Sequence, residues 1–239
     1  MKSPVVILSA GMPRSASTWM YNVVRSLLGA CPDMNGRYSA GWFQDLAMMA
    51  RNPYLLLKLH FYQAQLATYA SLIFYSYRDL RDAMASQQAR FGGPAEMAWA
   101  DLYVQSHEQW MQRAAYAMKY ENMLQDKHGI VANLAEVLAS RFLGPLGIVT
   151  VPPDIDAIVH EVGAMSYDSP GPRNPLYHEV NLFHRRHIIN GRTGSWRQVL
   201  DHGLAAAVAD KYRWWFDKYG YDIDGGCSDS RPVSRLTLA

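Results

Sequence analysis

Apolar residues fall into two kinds of pattern along this chain of 239 residues. Short unbroken runs occur at Val5-Val6-Ile7-Leu8, at Leu55-Leu56-Leu57-Lys58-Leu59-His60, over residues 71–77 (SLIFYSY) and, less purely, over 115–122 (AYAMKYEN). Runs too continuous to alternate predict strands buried on both faces. Between them the apolar positions recur at helical spacing. Met20, Val23, Val24, Leu27 and Leu28 mark the stripe of a core-facing helix. Further helices are expected from Arg78 to about Phe91, stopped by Gly92-Gly93-Pro94, over 95–114, over 127–143 ending at Gly144-Pro145, and over 154–164. A last one, 198–219, should bury Leu204, Val208, Tyr212, Trp215 and Tyr219.

Residues 29–53 mix glycine, proline and aromatics and read as an insertion with one helix near 42–51, while 165–195 read as a long functional loop. Strands separated by helices predict an α/β fold: a three-layer arrangement, a parallel sheet flanked by helices, of the phosphate-loop NTPase type. One domain over 1–223 and a flexible polar tail over 224–239 account for the length. In such sheets ligands sit beyond the carboxyl ends of the strands, which here lead into 9–18, 58–60, 78–86 and 120–122.

Composition removes several function classes. A net charge of +2 is too mild for a nucleic-acid partner, although Lys2, Arg14 and Arg25 stand without an acid in residues 1–32, and five arginines face only Glu179 over 173–197. Cys31 and Cys227 cannot build a disulfide framework, which suits a reducing, cytoplasmic setting. Residues 4–12 imitate a short signal core but run straight into a loop motif, and no apolar run reaches the ~18–20 residues of a membrane span.

That loop motif is the strongest local signal. Gly11, Pro13, Arg14 and the small cluster Ser15-Ala16-Ser17-Thr18 lie between a strand and a helix. Against G-x-x-x-x-G-K-[ST], Gly11 fits, Ala16 takes the second glycine, Ser17 takes the lysine and Thr18 keeps the last position. The anion trap of N–H groups at a helix N-terminus survives, but the lysine that reaches β- and γ-phosphates is gone. A serine-rich turn that merely caps a helix is the plain alternative.

Four elements in order resemble the sulfotransferases that use 3'-phosphoadenosine 5'-phosphosulfate (PAPS) as donor. Met12-Pro13-Arg14-Ser15-Ala16-Ser17-Thr18-Trp19 lies without a gap over the family's Tyr-Pro-Lys-Ser-Gly-Thr-Thr-Trp. Lys58-Leu59-His60 resembles its Lys-Thr-His. Arg78 and Ser86 repeat its arginine, eight residues, then serine. Asn190-Gly191-Arg192-Thr193-Gly194-Ser195-Trp196 resembles its late Arg-Lys-Gly-x-x-Gly-x-Trp, with the two basic residues replaced by Ile189 and Asn190. Tyr120-Glu121-Asn122 stands where the family has Tyr-Glu-Asp.

The resemblance implies PAPS as co-substrate, PAP as product and a small-molecule acceptor. It places the 5'-phosphosulfate on Ser15, Ala16, Ser17 and Thr18, with Trp19 against the adenine and Tyr120 at the adenine's edge. The 3'-phosphate falls to Arg78 and Ser86, with Asn190, Gly191 and Arg192, or Arg186, in the late motif. Arg14 stands for the family's loop lysine, an exchange of a mobile point charge for a planar fork. Catalysis falls to His60 as base, with Lys58 and Arg14 stabilising charge. No metal site is expected, since His184 and His187 lack a third ligand.

The residues leave alternatives open. Arg78 could pair with Asp82 on the helix surface, and Tyr120 could be core packing. A phosphate-loop kinase shares the strand, loop and helix but needs the missing lysine. A non-catalytic nucleotide-binding module shares every phosphate contact, and only Lys58 and His60 speak against it. Trp42, Phe43, Phe61, Tyr62, Trp99, Trp110 and Tyr167 are candidate walls of an acceptor pocket.

Overall fold

The structure, a computed structural model, describes residues 3–49, 51–167, 177–184 and 191–223. Asn190, Arg186, His187, Cys227 and the tail from 224 therefore lie outside the described residues.

Five strands form the sheet: β1 (Val5–Gly11), β2 (Tyr38–Trp42), β3 (Tyr54–Leu59), β4 (Ala70–Tyr77) and β5 (Tyr116–Lys119). All pairings are parallel, in the order β2-β3-β1-β4-β5, with β1 at the centre. The helices are α1 (Ser17–Gly29), α2 (Leu46–Met49), α3 (Ala64–Tyr69), α4 (Leu80–Phe91), α5 (Met97–Met111), α6 (Tyr120–Gln125), α7 (Lys127–Leu138), α8 (Ile155–Ala164), α9 (Trp196–Val199), α10 (His202–Lys211) and α11 (Arg213–Tyr219).

Strand alternation splits the core in two. Val6, Leu8, Leu55, Leu57, Ile73 and Tyr75 point to one face, where Leu80 and Met84 of α4, Trp110 of α5 and Trp215 and Phe216 of α11 cover them. Ile7, Leu56, Leu72 and Phe74 point to the other, under Met20, Val23 and Val24 of α1, Val131 and Leu134 of α7, and Ile158 of α8. Each such side chain contributes about 1.5–3 kcal/mol on burial, so both layers are held independently. The predicted three-layer architecture is therefore observed. One helical stretch among the described residues, Lys127–Leu146, is long and apolar enough to cross a membrane by length and composition. Its Ile130, Val131, Leu134, Leu138 and Phe142 are spent on the second core.

Several local expectations change. Strand β2 replaces part of the expected insertion, and the helix near 42–51 shrinks to the single turn α2. The run over 115–122 stops being a strand at Lys119, where α6 begins. The final helix is three: Leu200 is extended, Asp201 caps α10 by accepting from Leu204 N at 2.9 Å, and Tyr212 breaks α10 from α11. Leu204 and Tyr212 are accordingly only half-buried.

Register decides where chemistry collects. Gly11 pairs with Ser76, and Lys58 pairs with both Ser9 and Trp42. The loop after β1, the end of β3 and the end of β4 thus open on one edge.

Candidate functional site

The loop after β1 is built around backbone that glycine would adopt more readily. Arg14 (φ 68°) and Ala16 (φ 60°) are both left-handed, at a cost of about 1–2 kcal/mol for each non-glycine residue. Ala16 is the N-cap of α1 and offers no side-chain cap, so the first N–H groups of the helix stay available to an anion. Gly11 has no room for a side chain: a Cβ there would collide with Ser17 Cβ and Ser76 Oγ.

Ser15 behaves differently from its neighbours. Its hydroxyl turns inward, to Met12 O at 2.7 Å, Ser76 Oγ at 2.7 Å and Ser76 O at 3.1 Å. It fastens the loop to β4. Ser17 and Thr18 lie in the first turn of α1, both buried, and Trp19 is half-buried against the second core.

Ser17 meets the missing cation. Lys58 Nζ, at the end of β3, stands 3.3 Å from Ser17 Oγ and 3.4 Å from His60 Nε2, over the Trp42 ring at 4.1 Å. Lys58 is 0 % exposed. Burial, and then the charge of Arg14, lowers its pKa to about 7. His60 Nδ1 lies 2.8 Å from Gly11 O. A carbonyl only accepts, so Nδ1 carries the proton and Nε2 keeps a lone pair. Burial and the neighbouring Lys58 hold the His60 pKa well below its usual 6.5, so the ring is neutral at ordinary pH. Trp110 Nε1 donates to His60 O at 3.1 Å and fixes the backbone that carries it.

On the other side of the loop Arg14 Nε donates to Ser86 Oγ at 3.0 Å, joining the loop to α4. Arg14 is itself shifted down to about 10 by burial and by the charges of Arg90 and Arg78, and so stays charged at neutral pH. Arg78 Cζ lies over the Tyr120 ring, 4.1 Å from its centroid, and the guanidinium donates to Arg14 O and Arg192 O, both at 3.1 Å. Tyr120 thus gives one ring face to Arg78. Arg78 also pairs with Asp82 at 3.3 Å, but inside the protein and not on the helix surface, since the two side chains are 5 % and 1 % exposed.

Asp82 is a functional candidate that the sequence did not single out. It accepts from Gly194 N at 2.7 Å, Ser195 Oγ at 3.1 Å and Trp196 N at 3.1 Å. One carboxylate therefore holds the late glycine motif against Arg78. From sequence it is an acid in a first helical turn with Arg78 as its one candidate partner. Gly191 and Arg192 come to the site through this anchor, Arg192 by its backbone carbonyl.

The aromatic candidates separate. Trp42 lies 5.5 Å from His60, and Tyr177, unnoticed in the sequence, meets Trp42 edge-on at 6.1 Å. Segment 177–184 is tied to α1 by Asn22 Nδ2, which donates to Asn181 O at 2.8 Å. Phe61 stacks on Tyr103, and Tyr62 packs on Trp110 in the core. Phe43 and Trp99 pack against the first core and do not reach His60 by any described contact. Tyr167 lies at the edge of segment 177–184's anchor, next to Ser166, whose carbonyl accepts from Asn181 Nδ2 at 3.0 Å.

No family model and no curated protein matches the sequence. Solved structures do match the fold. The mouse sulfotransferase SULT7A1 complexed with PAP superposes with a TM-score of 0.57 over 95 % of this chain and 87 % of that one, at 14 % identity. A retinol dehydratase in complex with retinol and PAP superposes with a TM-score of 0.51 over 98 % and 84 %, at 13 % identity.

Proposed function

We propose that this chain, which has the fold of the PAP-binding sulfotransferases, transfers a sulfuryl group from PAPS to a hydroxyl or amine of a small acceptor. The observation that carries the reading is the row Ser17 Oγ, Lys58 Nζ, His60 Nε2, with spacings of 3.3 and 3.4 Å. A hydroxyl suited to an anion, an amine that the anion would charge and a neutral imidazole thus stand side by side at a helix N-terminus.

The residues fit a nucleotide with phosphates at both ends of its ribose. Ala16 leaves the α1 N-terminus uncapped, and Arg78 Nε is buried with no partner among the described residues. We assign the loop N–H groups, Ser17, Thr18 and Lys58 to the 5' end, and Arg78, Ser86 and the 191–192 backbone to the 3'-phosphate. Ser15 supports the loop from behind. Trp19 and the free edge of Tyr120 are assigned to the adenine.

When bound, PAPS supplies a sulfuryl group already joined to a phosphate leaving group. His60 Nε2 takes the proton of the acceptor's hydroxyl or amine, while the Nδ1–H bond to Gly11 O keeps the ring in the tautomer that can do so. Lys58 lies on Nε2 in the structure. Attraction to the anion draws Lys58 away and frees the base. Lys58 and Arg14 then stabilise charge gathering on the leaving oxygen, positions fixed before the reaction and hence without a reorganisation cost.

The test is calorimetry with PAP, with adenosine 5'-phosphate and with ATP in magnesium, followed by a sulfate-transfer assay on generic hydroxyl acceptors. The reading requires PAP to bind at least tenfold more tightly than either rival, and sulfate to move. Tighter binding of ATP with magnesium, or no transfer to any acceptor, refutes it.

A further inference from the structure

The end of β2 brings an aromatic face to the base. Trp42, the last residue of β2, is in register with Lys58 of the parallel neighbour β3, so the two side chains leave the same face of the sheet side by side. Phe43, one residue on, packs against the first core, whereas Trp42 is half-buried at the edge of the second. The indole Nε1 makes no hydrogen bond among the described residues, so the ring offers its neighbours a face and an edge. Tyr177 meets Trp42 edge-on, 6.1 Å between centroids, and an isolated bridge ties Tyr177 to His184. The His60 ring lies 5.5 Å from Trp42, inclined to it by 56°.

One atom shows what this corner can hold. Lys58 Nζ stands over the Trp42 face, 4.1 Å from the ring centroid, and 3.4 Å from His60 Nε2. Nδ1 gives the ring proton to Gly11 O, so Nε2 meets Nζ with its lone pair. An acceptor that gives up its proton to Nε2 must bring its hydroxyl or amine to about 2.6–3.2 Å of that nitrogen along the same direction. It therefore takes nearly the place of Nζ, and the atoms that follow it run across the indole face. A flat-faced ring covers that face with more contact than an open chain and has fewer torsions to fix. The same overlap excludes the acceptor while Lys58 stays. Nζ already lies 3.3 Å from Ser17 Oγ, so an anion bound at the start of α1 draws it off Nε2 and off the Trp42 face in one movement.

We propose that the Trp42 face is the specificity surface of the acceptor site, that it selects acceptors whose reacting hydroxyl or amine stands on or next to a flat-faced ring, aromatic or pyranose, and that Lys58 fills this place until the nucleotide draws it off. The inference rests on the sulfotransferase reading above and narrows it to ring acceptors taken after the donor. It makes Trp42 a specificity residue, separate from the base and from the nucleotide contacts.

The test uses three pairs, each a ring compound and an open-chain partner with the same reacting group: benzyl alcohol and 1-heptanol, benzylamine and heptylamine, methyl β-glucopyranoside and glucitol. In the first two pairs the open chain is the more hydrophobic, so a preference for the ring reports stacking and not mere transfer from water. The Kd of each compound is measured for the PAP-free and the PAP-saturated protein, and KM is measured under PAPS. At least one ring should be preferred over its open-chain partner by about tenfold, and PAP should tighten its binding at least tenfold. In Trp42→Leu the ring preference should fall below threefold with the Kd for PAP changed less than twofold, and Trp42→Phe should recover part of it. Lys58→Ala should bind the preferred ring without nucleotide at least tenfold more tightly than the wild type does. The proposal is overturned if no ring is preferred, if the preference survives in Trp42→Leu, if the PAP-free wild type binds the ring as tightly as the PAP-saturated one, or if Lys58→Ala depends on PAP as strongly as the wild type. The last two comparisons need no change at Trp42 and decide the matter even where Trp42→Leu does not fold. A wild-type protein that binds no PAP overturns the sulfotransferase reading itself.

Discussion

Lys58 gives the site a proton inventory that can be weighed directly. In the folded protein without ligand its pKa is about 7, lowered by burial first and by Arg14 second. At pH 8 a group of that pKa is about 10 % charged. A nucleotide that brings several negative charges to Ser17 Oγ, 3.3 Å from Nζ, must restore the proton. Binding at pH 8 should therefore take up about 0.9 proton. The phosphates of PAP titrate near pH 6 and add nothing there, and Arg14, near 10, is already charged. If binding raises the Lys58 pKa by three units, it then lies two units above the working pH of 8, and the shift contributes about 2.7 kcal/mol to affinity there, at 1.36 kcal/mol per unit.

The assay is PAP titration at pH 8 in buffers of different ionisation enthalpy, whose slope counts the protons. Lys58→Met should bring the slope near zero. A wild-type slope near zero would refute the reasoning, because Lys58 would then be charged already or out of the nucleotide's reach. A second consequence concerns the empty protein. Unfolded lysine holds its proton to about pH 10.4 while folded Lys58 loses it near 7. The unfolded state thus binds more protons over that window, and Lys58 makes the fold more stable as pH rises from 7 to 10, by about 1.4 kcal/mol per unit.

Four further outcomes are expected. His60→Ala should lower kcat by at least ~100-fold, and up to ~10,000-fold, with the Kd for PAP little changed; full turnover would remove the base. Asp82→Asn sets an amide N–H against Gly194 N and Arg78 Nη2, so thermal melting should show a loss of about 3–5 kcal/mol and PAP binding should weaken; an unchanged melt would show that the anchor is dispensable. Ala16→Gly relieves a left-handed alanine and should stabilise by about 0.5–1 kcal/mol after the glycine's extra unfolded-state entropy is subtracted, a gain that chemical denaturation can resolve. His107 is fully buried, its Nδ1 3.1 Å from the Tyr75 hydroxyl, and burial lowers its pKa to about 3. The unfolded histidine takes up its proton below about 6.5, so stability should fall as pH drops from 6.5 toward 3, at about 1.4 kcal/mol per unit; His107→Phe should flatten that slope in denaturant melts.

What the sequence made legible is what local pattern encodes. β1, β3, β4 and the starts of α1 and α4 announce themselves through apolar runs followed by turn chemistry. β2 does not: its residues YSAGW are mostly half-buried, and it is held by pairing with β3, with Gly41 packed under Met49. Apolar spacing stays in phase across Asp201 and Tyr212 and so reads as one final helix, whereas the breaks depend on a cap and on backbone angles. Within the site, residue types were legible and directions were not. Ser15 reads like Ser17, yet one hydroxyl faces β4 and the other faces Lys58. Asp82 reads as a first-turn acid or a surface partner of Arg78, because three of its partners lie 112 to 114 residues downstream.

The absent loop lysine then acquires a structural explanation. In a phosphate loop the lysine grows from the first turn of the helix and rides with it; here that position is Ser17, and the cation reaches it from the neighbouring strand. Parallel pairing of β1 with β3 fixes this exchange, since Ser9 and Lys58 are in register and the two chains leave the sheet side by side. A lysine on β3 sits two residues from His60, so the side chain proposed to meet the anion also lies 3.4 Å from the proposed base. A lysine on the loop would have to cross from α1 to make both contacts. On the proposed reading, a charge placed on the strand would couple anion binding to release of the base, as transfer to an acceptor that must lose a proton requires.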